Sequence, residues 1–341
     1  MSDVLKVRVT EVTQETPDAK SFAVEPVDHP EMFGYRAGQF LTFRIPTDWP
    51  EGAARSYSLC SSPTRDEPMR VAVKRTLGGY ASNWFCDTVR VGDELEVLRP
   101  AGAFTPRNFD GDFLLLGAGS GITPMLSILK AVLDQSDRHV TLIYANRDER
   151  SVIFAQQLKN EADKHGERLT VVHWLEVLQG VPTDATWRSL LAPYADRQAF
   201  ICGPAPFMNL CEKVLPEVGM PSDHIHLERF TSLTNDPFAE SSVEIDTSGP
   251  MSKVEVTLDG ETRTVDWPRS NNLLDVLRDA GMDAPYSCRE GACSACACFV
   301  LEGEVELAHN EVLDKDDLAD GLTLACQATP LTDFVKVSYD E

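Results

Sequence analysis

Four cysteines near the C-terminal end constrain this chain more than any other feature. Cys288, Cys293 and Cys296 form a C-x4-C-x2-C run, and Cys326 follows after 29 further residues. The positions between the first three include glycine, alanine and serine, which let backbone N–H groups approach the sulfur atoms. Because this is the spacing that wraps four thiolates around a [2Fe-2S] cluster, the sequence predicts metal ligands at all four positions.

Two other metal centres compete with this interpretation. A zinc site also takes four cysteines, but zinc sites usually pair one C-x2-C with another, and this loop does not. A Rieske centre needs two histidine ligands, and none of the seven histidines lies near the loop. Cys298 is left over from the ligand set and is expected to be a small buried residue.

Length and composition indicate a multidomain globular protein. With 341 residues the chain exceeds one ordinary core, and typical domains of about 100–200 residues imply two or three of them. Nine cysteines are too few for a disulfide scaffold. The chain starts with a strand-like alternation, and no apolar run approaches a membrane span of ~20 residues. We therefore expect a cytoplasmic protein without a membrane partner.

The charge of the chain is strongly negative and unevenly distributed. A formal net charge of −23 makes nucleic acid and anionic membrane surfaces poor partners. Residues 251–341 hold 19 acidic and 7 basic residues, a formal charge of −12. This stretch is either an acidic face that docks a basic partner or a solvated acidic surface without one.

The hydrophobic pattern predicts three domains and a linker. Residues 1–107 show short alternating runs and almost no helical period, as in an antiparallel β-barrel. Residues 108–230 alternate apolar strands with helices, which indicates a buried parallel sheet of the α/β class. Residues 231–250 lack an apolar period, as a linker does. Residues 251–341 combine a hairpin, a helix and the cysteine loop.

A glycine-rich turn follows the first strand of the predicted parallel sheet. The apolar run 113–116 leads into Gly117-Ala118-Gly119-Ser120-Gly121 and then a helix, with Thr123 suited to its N-cap and Pro124 to its first turn. Bare backbone at a helix N-terminus binds pyrophosphate. The turn departs from G-x-G-x-x-G because Ile122 takes the sixth place, and a purely structural turn is the alternative.

Three more motifs accompany this turn. The first domain contains Arg55-Ser56-Tyr57-Ser58 and then Gly78-Gly79-Tyr80-Ala81-Ser82, and a strand of the second domain ends in Cys202-Gly203-Pro204. Together the four motifs resemble the ferredoxin-NADP reductase superfamily. The resemblance implies that the first motif binds a flavin, the second its phosphates and the others a nicotinamide dinucleotide. Each motif alone is weak, whereas four in the right order are a strong signal.

The resemblance also implies roles for single side chains. Arg55 would neutralise the FAD pyrophosphate, Tyr57 would pack on the isoalloxazine, and Ser58 would hydrogen-bond near its N5. Cys202 would lie beside the nicotinamide C4. The implied catalytic residues are Tyr57, Ser58, Cys202, Glu228 and Phe230. The implied cofactor-binding residues are Arg55, Tyr57, Ser58, Lys74, Gly79, Tyr80, Ser82, Gly117, Gly119, Ser120, Gly121, Thr123, Pro124, Cys202, Gly203 and Pro204.

Over nearly its full length the chain is similar to reductase components of two-component oxygenases of the phenylacetyl-CoA epoxidase reductase type. Segments such as RSYSLCSSP, YANRDERSVIF and CREGACSACAC look closest to reductases of 3-ketosteroid 9α-hydroxylases. The implied fold class is a multidomain chain with an antiparallel β-barrel FAD domain, an α/β parallel-sheet NAD domain and an α+β β-grasp [2Fe-2S] ferredoxin domain.

The resemblance implies an NADH-dependent reductase that converts electron pairs into single electrons. NADH delivers a hydride, an iron-sulfur cluster accepts one electron, and FAD mediates between them. The cluster would then reduce the Rieske centre of an oxygenase partner. Plant-type clusters lie near about −400 mV and Rieske centres at about −150 mV or above, a drop of roughly 6 kcal/mol per electron.

Two alternatives concern the dinucleotide and the function. Arg147, Arg150 and Ser151 could bind the 2′-phosphate of NADPH, whereas Asp148 and Glu149 would repel it, and the resemblance favours NADH. The function could also be that of a reductase for another oxygenase, acting on aromatic or acyl-CoA substrates, or of a non-catalytic redox-sensing module.

Overall fold

The structure is a computed structural model that describes residues 4–49, 52–233, 236–238, 245–313 and 315–340. It divides into two compact units, of which the first comprises Met1–Phe43, Ser56–Pro100 and Phe104–Phe230, and the second Arg44–Arg55, Ala101–Ala103 and Thr231–Glu341. Within the described ranges, no helix has the length and hydropathy needed to cross a membrane. The domain boundaries expected at 107, 230 and 250 stay predictions. Residues 234–235 and 239–244 of the expected linker lie outside the described residues.

Six strands form an antiparallel half-barrel in the order β4-β3-β6-β1-β2-β5. Their bounds are β1 (Leu5–Thr16), β2 (Ala19–Pro26), β3 (Phe40–Arg44), β4 (Ala54–Ser58), β5 (Met69–Lys74) and β6 (Glu94–Val97). Leu5, Val7 and Val9 of β1 are buried and the residues between them exposed, as expected for a strand with one face on the core. The predicted antiparallel barrel is therefore confirmed.

A helix follows β5 where the sequence pattern predicted almost no helical structure. This helix, α1 (Tyr80–Thr88), spans nine residues and buries Ala81, Ser82, Phe85 and Cys86. The expectation was wrong here because two helical turns are shorter than the window in which a helical period becomes visible.

Five parallel strands form the second sheet, in the order β11-β10-β7-β8-β9. The strands are β7 (Phe113–Ala118), β8 (Val140–Asn146), β9 (Leu169–Leu175), β10 (Gln198–Cys202) and β11 (Ile225–Glu228). The helices between them are α2 (Ile122–Gln135), α3 (Ala155–His165), α4 (Glu176–Gln179), α5 (Asp184–Leu191) and α6 (Ala205–Glu217). The order reverses beside β7, and the predicted buried parallel sheet is confirmed, since every residue of β7 and β8 is buried.

The start of α2 differs from the prediction. Its N-cap is Gly121, so Thr123 is the second residue of the helix and Pro124 the third. A 3-10 turn, Gly119–Gly121, leads directly into the helix and moves its start towards the N-terminus. The Thr123 hydroxyl donates instead to the carbonyl of Ser120 at 3.0 Å.

The C-terminal sheet has the order β13-β12-β18-β14-β16, and β12 and β18 run parallel. Its strands are β12 (Met251–Leu258), β13 (Glu261–Pro268), β14 (Ala297–Glu302), β16 (Leu322–Leu324) and β18 (Phe334–Ser338). A separate antiparallel pair consists of β15 (Val305–Leu307) and β17 (Ala328–Pro330), and the helices are α7 (Leu273–Asp279) and α8 (Lys315–Ala319). Trp267 is fully buried in the core, and its Nε1 donates to the carbonyl of Asn271 at 2.9 Å. This mixed sheet confirms the predicted β-grasp domain.

A buried lysine fixes α2 to the loop that follows β4. Lys130 is 2% exposed, and its Nζ lies 2.8 Å from Glu67 Oε1 and 3.3 Å from the carbonyl of Cys60. One turn away, the Ser127 hydroxyl donates to the carbonyl of Ser61 at 2.6 Å. A cation buried this deeply is tolerable only because a carboxylate and a carbonyl surround it.

Replacing this cation should destabilise the first unit. We expect Lys130→Met to lower the free energy of unfolding by about 2 kcal/mol, because Glu67 and the Cys60 carbonyl lose their partner. The control is Lys159→Met, which breaks the exposed pair with Asp163 (2.6 Å) and should cost under about 0.5 kcal/mol. Calorimetric unfolding of both variants measures the difference, and equal shifts would contradict the importance of the buried pair.

Candidate redox and nucleotide sites

The glycine turn and the Cys202 motif meet where the strand order of the parallel sheet reverses. A Cβ on Gly121 would lie 2.1 Å from the carbonyl oxygen of Cys202, and one on Gly203 would lie 2.8 Å from the Cβ of Ala118. Each position therefore accepts glycine alone. Open α/β sheets bind their ligands at this reversal point, outside the carboxyl ends of the strands. The two motifs thus form one crevice with a bare backbone wall, which fits a dinucleotide.

The positively charged side chain of Lys74 lies near the same turn. Gly119 is left-handed (φ 54°), and a Cβ there would lie 3.6 Å from Lys74 Nζ. The nearest ion pair of Lys74 is long, at 4.0 Å to Asp18. The Tyr144 hydroxyl holds the turn by donating to the Gly119 carbonyl at 2.9 Å. A lysine amine and the N-terminus of α2 beside a bare turn fit a pyrophosphate.

Three of the predicted catalytic residues come together beside this crevice. Cys202 is paired with Glu228 on one side and with Gly117 on the other, at the carboxyl ends of three adjacent strands. Ser58 belongs to the half-barrel, and its hydroxyl donates to Glu228 Oε2 at 3.2 Å although 170 residues separate the two in sequence. This hydrogen bond places a side chain of the first domain beside the strand ends of the second.

Burial keeps this group of side chains uncharged. Desolvation raises the pKa of Glu228 to about 8, against the opposing hydrogen bond from Ser58. Desolvation and the neighbouring Glu228 raise the pKa of the fully buried Cys202 thiol well above its ordinary value. Both shifts favour the protonated, uncharged forms of these two groups.

The other residues expected at the flavin are spread around β4 and its neighbours. The Tyr57 ring packs edge-on against Phe85, with centroids 5.1 Å apart. Arg55 Nη1 donates to the carbonyls of Ala54 at 2.6 Å and Leu233 at 3.4 Å. The side chain of Phe230 is largely exposed. Their roles at a flavin stay predictions.

The second glycine motif caps α1. Gly79 is the N-cap residue, and the exposed Tyr80 begins the helix. The Ser82 hydroxyl accepts the backbone N–H of Thr76 at 3.0 Å, and a Cβ on Gly79 would lie 2.9 Å from that of Thr76. This helix N-terminus, which sequence reasoning missed, fits the phosphate-binding role expected for the motif.

The cysteines gather in the C-terminal domain as their spacing predicts. Backbone N–H groups donate to three of the sulfurs at 3.3–3.4 Å, from Glu290 and Ala292 to Cys288, from Cys288 to Cys293, and from Cys326 to Cys296. The Gln327 amide donates to the fourth sulfur, that of Cys326, at 3.6 Å. Such donors stabilise thiolate charge and tune cluster potentials.

The shape of the loop that carries three of these cysteines depends on one glycine. Gly291 is left-handed (φ 76°), and a Cβ there would lie 2.6 Å from the carbonyl oxygen of His309. Arg289 and Ser294 are also left-handed, at 59° and 53°. The loop therefore curls tightly and turns its N–H groups towards the sulfurs, and this donor set fits a cluster of thiolate-bound iron.

The thiols influence one another's protonation. Hydrogen bonds from Cys293 and Cys326 lower the pKa of Cys288, whereas contact with Cys288 raises the pKa values of the other two. Within the described ranges, no group of three His, Cys, Asp or Glu side chains is placed so that it could hold one metal ion. A [2Fe-2S] cluster instead divides four thiolates between two irons. The leftover Cys298 is buried in the core, as expected.

An acidic side chain follows the second strand of the parallel sheet. Asp148 accepts the Ser151 hydroxyl at 2.8 Å and pairs with Arg147 at 3.0 Å. These two contacts, in that order, lower the pKa of Asp148. Two of the three residues that could bind a 2′-phosphate are thus already engaged with a carboxylate, and Arg150 is exposed.

Family models match three parts of the chain. An oxidoreductase FAD-binding domain matches residues 6–105, an oxidoreductase NAD-binding domain residues 115–213, and a 2Fe-2S iron-sulfur cluster binding domain residues 256–331. The predicted FAD, NAD and [2Fe-2S] domains are therefore confirmed, and so is the assignment to oxidoreductases.

Whole proteins are similar over the full length. The chain is 53% identical to "3-ketosteroid-9-alpha-monooxygenase, ferredoxin reductase component" of Mycolicibacterium smegmatis, covering 100% of this chain and 98% of the relative. It is 37% identical to a component of the 1,2-phenylacetyl-CoA epoxidase of Escherichia coli, covering 100% and 99%. The solved structure of phthalate dioxygenase reductase is 25% identical, with a TM-score of 0.60 and 98% of both chains covered.

A relative of the same name in Rhodococcus rhodochrous is 51% identical and covers 97% of this chain and 95% of its own length. Similarity of this strength extends through all three matched domains in their observed order. The chain thus belongs to the family of 3-ketosteroid-9-alpha-monooxygenase ferredoxin reductase components.

Proposed function

We propose that this protein is the NADH-dependent reductase of a 3-ketosteroid 9α-monooxygenase and passes single electrons to a Rieske-type oxygenase partner. The relatives in M. smegmatis and R. rhodochrous that carry this name support the assignment. The observation that carries it is the contact of Ser58 with Glu228 beside Cys202, in a chain whose C-terminal domain also gathers four cysteines.

Each group of residues has a part in this proposal. Lys74 and the turn before α2 hold the dinucleotide pyrophosphate, and the N-terminus of α1 holds phosphate of the flavin. Cys288, Cys293, Cys296 and Cys326 are the cluster ligands. When bound, FAD accepts a hydride from NADH as an electron pair, and the [2Fe-2S] cluster carries electrons singly.

The chain's own residues keep the reacting region dry and neutral. The Gly121 contact brings backbone rather than side chain against Cys202, which leaves room for a flat ring. Ser58 orients the Glu228 carboxyl by donating to it, and the proton held by that carboxyl removes a charge that would oppose hydride transfer.

We also propose a cytoplasmic location. All nine cysteines are free thiols in the structure, and thiols persist in a reducing compartment. The net charge of −23 supports a protein partner rather than nucleic acid or an anionic membrane.

The proposed function is tested by reconstitution. Purified protein loaded with FAD and iron-sulfur cluster should bleach on addition of NADH, and it should support steroid hydroxylation by a purified 3-ketosteroid oxygenase. An acyl-CoA epoxidase of the E. coli type serves as the competing acceptor. Steroid product with another reductase but none with this one would refute the steroid assignment. Failure of NADH to bleach the protein would refute the reductase activity itself.

The protonation of Glu228 should set a pH limit. We expect NADH-driven flavin reduction to slow about tenfold as pH rises through about 8, because the ionised carboxylate repels the incoming hydride. Glu228→Gln should abolish this dependence. Since the Ser58 hydrogen bond lowers the pKa of Glu228, Ser58→Ala should move the midpoint upward. Stopped-flow absorbance at several pH values checks both, and a downward shift in Ser58→Ala would contradict the assignment.

Substitutions can distinguish a cluster ligand from an ordinary buried cysteine. We expect Cys326→Ser to lose most of the iron and the electron paramagnetic resonance signal of the reduced cluster while it retains the flavin. Cys298→Ala, which alters a buried thiol two residues beyond Cys296, should keep the cluster. Iron analysis and spectra of both proteins make the comparison. Retention of a full cluster in Cys326→Ser would exclude this residue as a ligand.

Asp148 should favour NADH. Its carboxylate, fixed by Arg147 and Ser151, repels a 2′-phosphate, so Asp148→Ala should lower KM for NADPH by about tenfold and change that for NADH less. Glu167→Ala is the control, since it removes an exposed carboxylate that is not part of this segment and should leave both KM values unchanged. Steady-state kinetics with both dinucleotides measure the change, and an unaltered preference would show that discrimination lies elsewhere.

A further inference from the structure

Three residues of the expected linker are buried against protein. Residues 231–233 and 236–238 are here named the linker strap. Within it, Leu233 and Phe238 are 7% and 6% exposed, and Pro237 is buried as well. Three buried apolar side chains in so short a segment require a surface that covers them. The strap is therefore a structured element of the second unit.

Residues 44–55 of the same unit hold the C-terminal end of the strap. The Arg44 guanidinium lies 4.9 Å over the Phe238 ring, and its Nη2 donates to the Phe238 carbonyl at 3.1 Å. Asp236 accepts the Phe238 N–H at 2.9 Å, and a Cβ on Gly52 would lie 2.6 Å from the Asp236 carboxylate. Phe238 is thus fixed through its ring, its carbonyl and its N–H.

The N-terminal end of the strap touches the cluster loop, residues 288–296. The Thr231 hydroxyl donates to the carbonyl of Ala292 at 3.0 Å. Two residues further on, the Leu233 carbonyl accepts from Arg55 at 3.4 Å. The strap thereby connects the cluster loop to a strand residue that the family resemblance assigns to the flavin.

The cluster loop makes a second contact in this unit. The Ser294 hydroxyl accepts the backbone N–H of Ala103 at 3.3 Å. Residues 101–103 are grouped with the C-terminal domain in the second unit, as are residues 44–55. Two separate hydrogen bonds therefore hold the cluster loop, one from Thr231 to the backbone carbonyl of Ala292 and one from Ala103 to the side-chain hydroxyl of Ser294.

We propose that the linker strap is a positioning element that seats the cluster loop against residues 101–103, in the arrangement from which the cluster receives electrons. The inference rests on the proposed function, because seating the loop matters only if electrons reach it within the chain. Thr231 is the positioning residue that contacts the loop, and Phe238 is the anchor that holds the strap.

A single hydroxyl provides the test. In the holoenzyme, Thr231→Val removes the donor but keeps the shape of the side chain. We expect the NADH-driven bleaching of the flavin to keep its rate and the reduction of the cluster to slow about fivefold, the effect of one hydrogen bond. Thr231→Ser should restore the rate. Rapid-mixing absorbance separates the two phases.

Hydrogen exchange gives a readout independent of electron transfer. The Ala103 amide should exchange about fivefold faster in Thr231→Val, because the loop that supplies its acceptor is less firmly seated. Thr262→Val is the matched control, since its hydroxyl bonds to Thr257 at 3.0 Å on the surface of the same unit. It should leave the Ala103 amide and both kinetic phases unchanged.

The outcomes separate the two proposals. Cluster reduction at the wild-type rate in Thr231→Val, or equal slowing in Thr262→Val, would overturn the positioning role. A changed resonance spectrum of the reduced cluster in Thr231→Val would also overturn it, since the hydroxyl would then serve the cluster itself. Absence of flavin bleaching in the wild-type protein would contradict the proposed function instead.

Discussion

The nucleotide crevice depends on one backbone contact in which no side chain takes part. The Cys202 carbonyl fills the place that a Cβ on Gly121 would occupy. This contact brings the end of β10 against the turn after β7, at the N-terminus of α2. Lys74 supplies charge to the same turn. A larger residue at Gly121 would push the turn after β7 away from the end of β10.

A second set of contacts positions Ser58 beside that crevice. The loop after β4 is held on α2 by Lys130 and Glu67, and on α3 by Arg65, whose guanidinium lies 2.5 Å from Glu161. Ser58 lies just before this loop, so the same contacts help to fix its position relative to Glu228. Desolvation then keeps Glu228 protonated at neutral pH. The close packing of the half-barrel on the parallel sheet therefore both fixes the position of Ser58 and raises the pKa of Glu228.

Local signals predicted much of this protein, and contacts distant in sequence escaped prediction. The cysteine spacing and the strand-helix alternation are both patterns along the chain that can be read without knowing the fold, and both were confirmed as domains. The 3-10 turn that makes Gly121 the N-cap in place of Thr123 is decided by packing against β10. Helix α1 was too short to show a period. The family resemblance named Ser58 and Glu228 separately but did not predict their hydrogen bond, because no pattern in the sequence links residues 170 apart.

The linker strap shows why composition misleads about linkers. Its three buried residues have no period, and the surrounding Thr, Ser and Asp dominate the pattern, so the segment resembles solvated chain. The bond from the Thr231 hydroxyl to the Ala292 carbonyl and the bond from the Ala103 N–H to the Ser294 hydroxyl are single and neutral, each worth about 1 kcal/mol net. A seat this weak suits a cluster that exchanges electrons first within its own chain and then with a partner, because tight seating would block the second exchange.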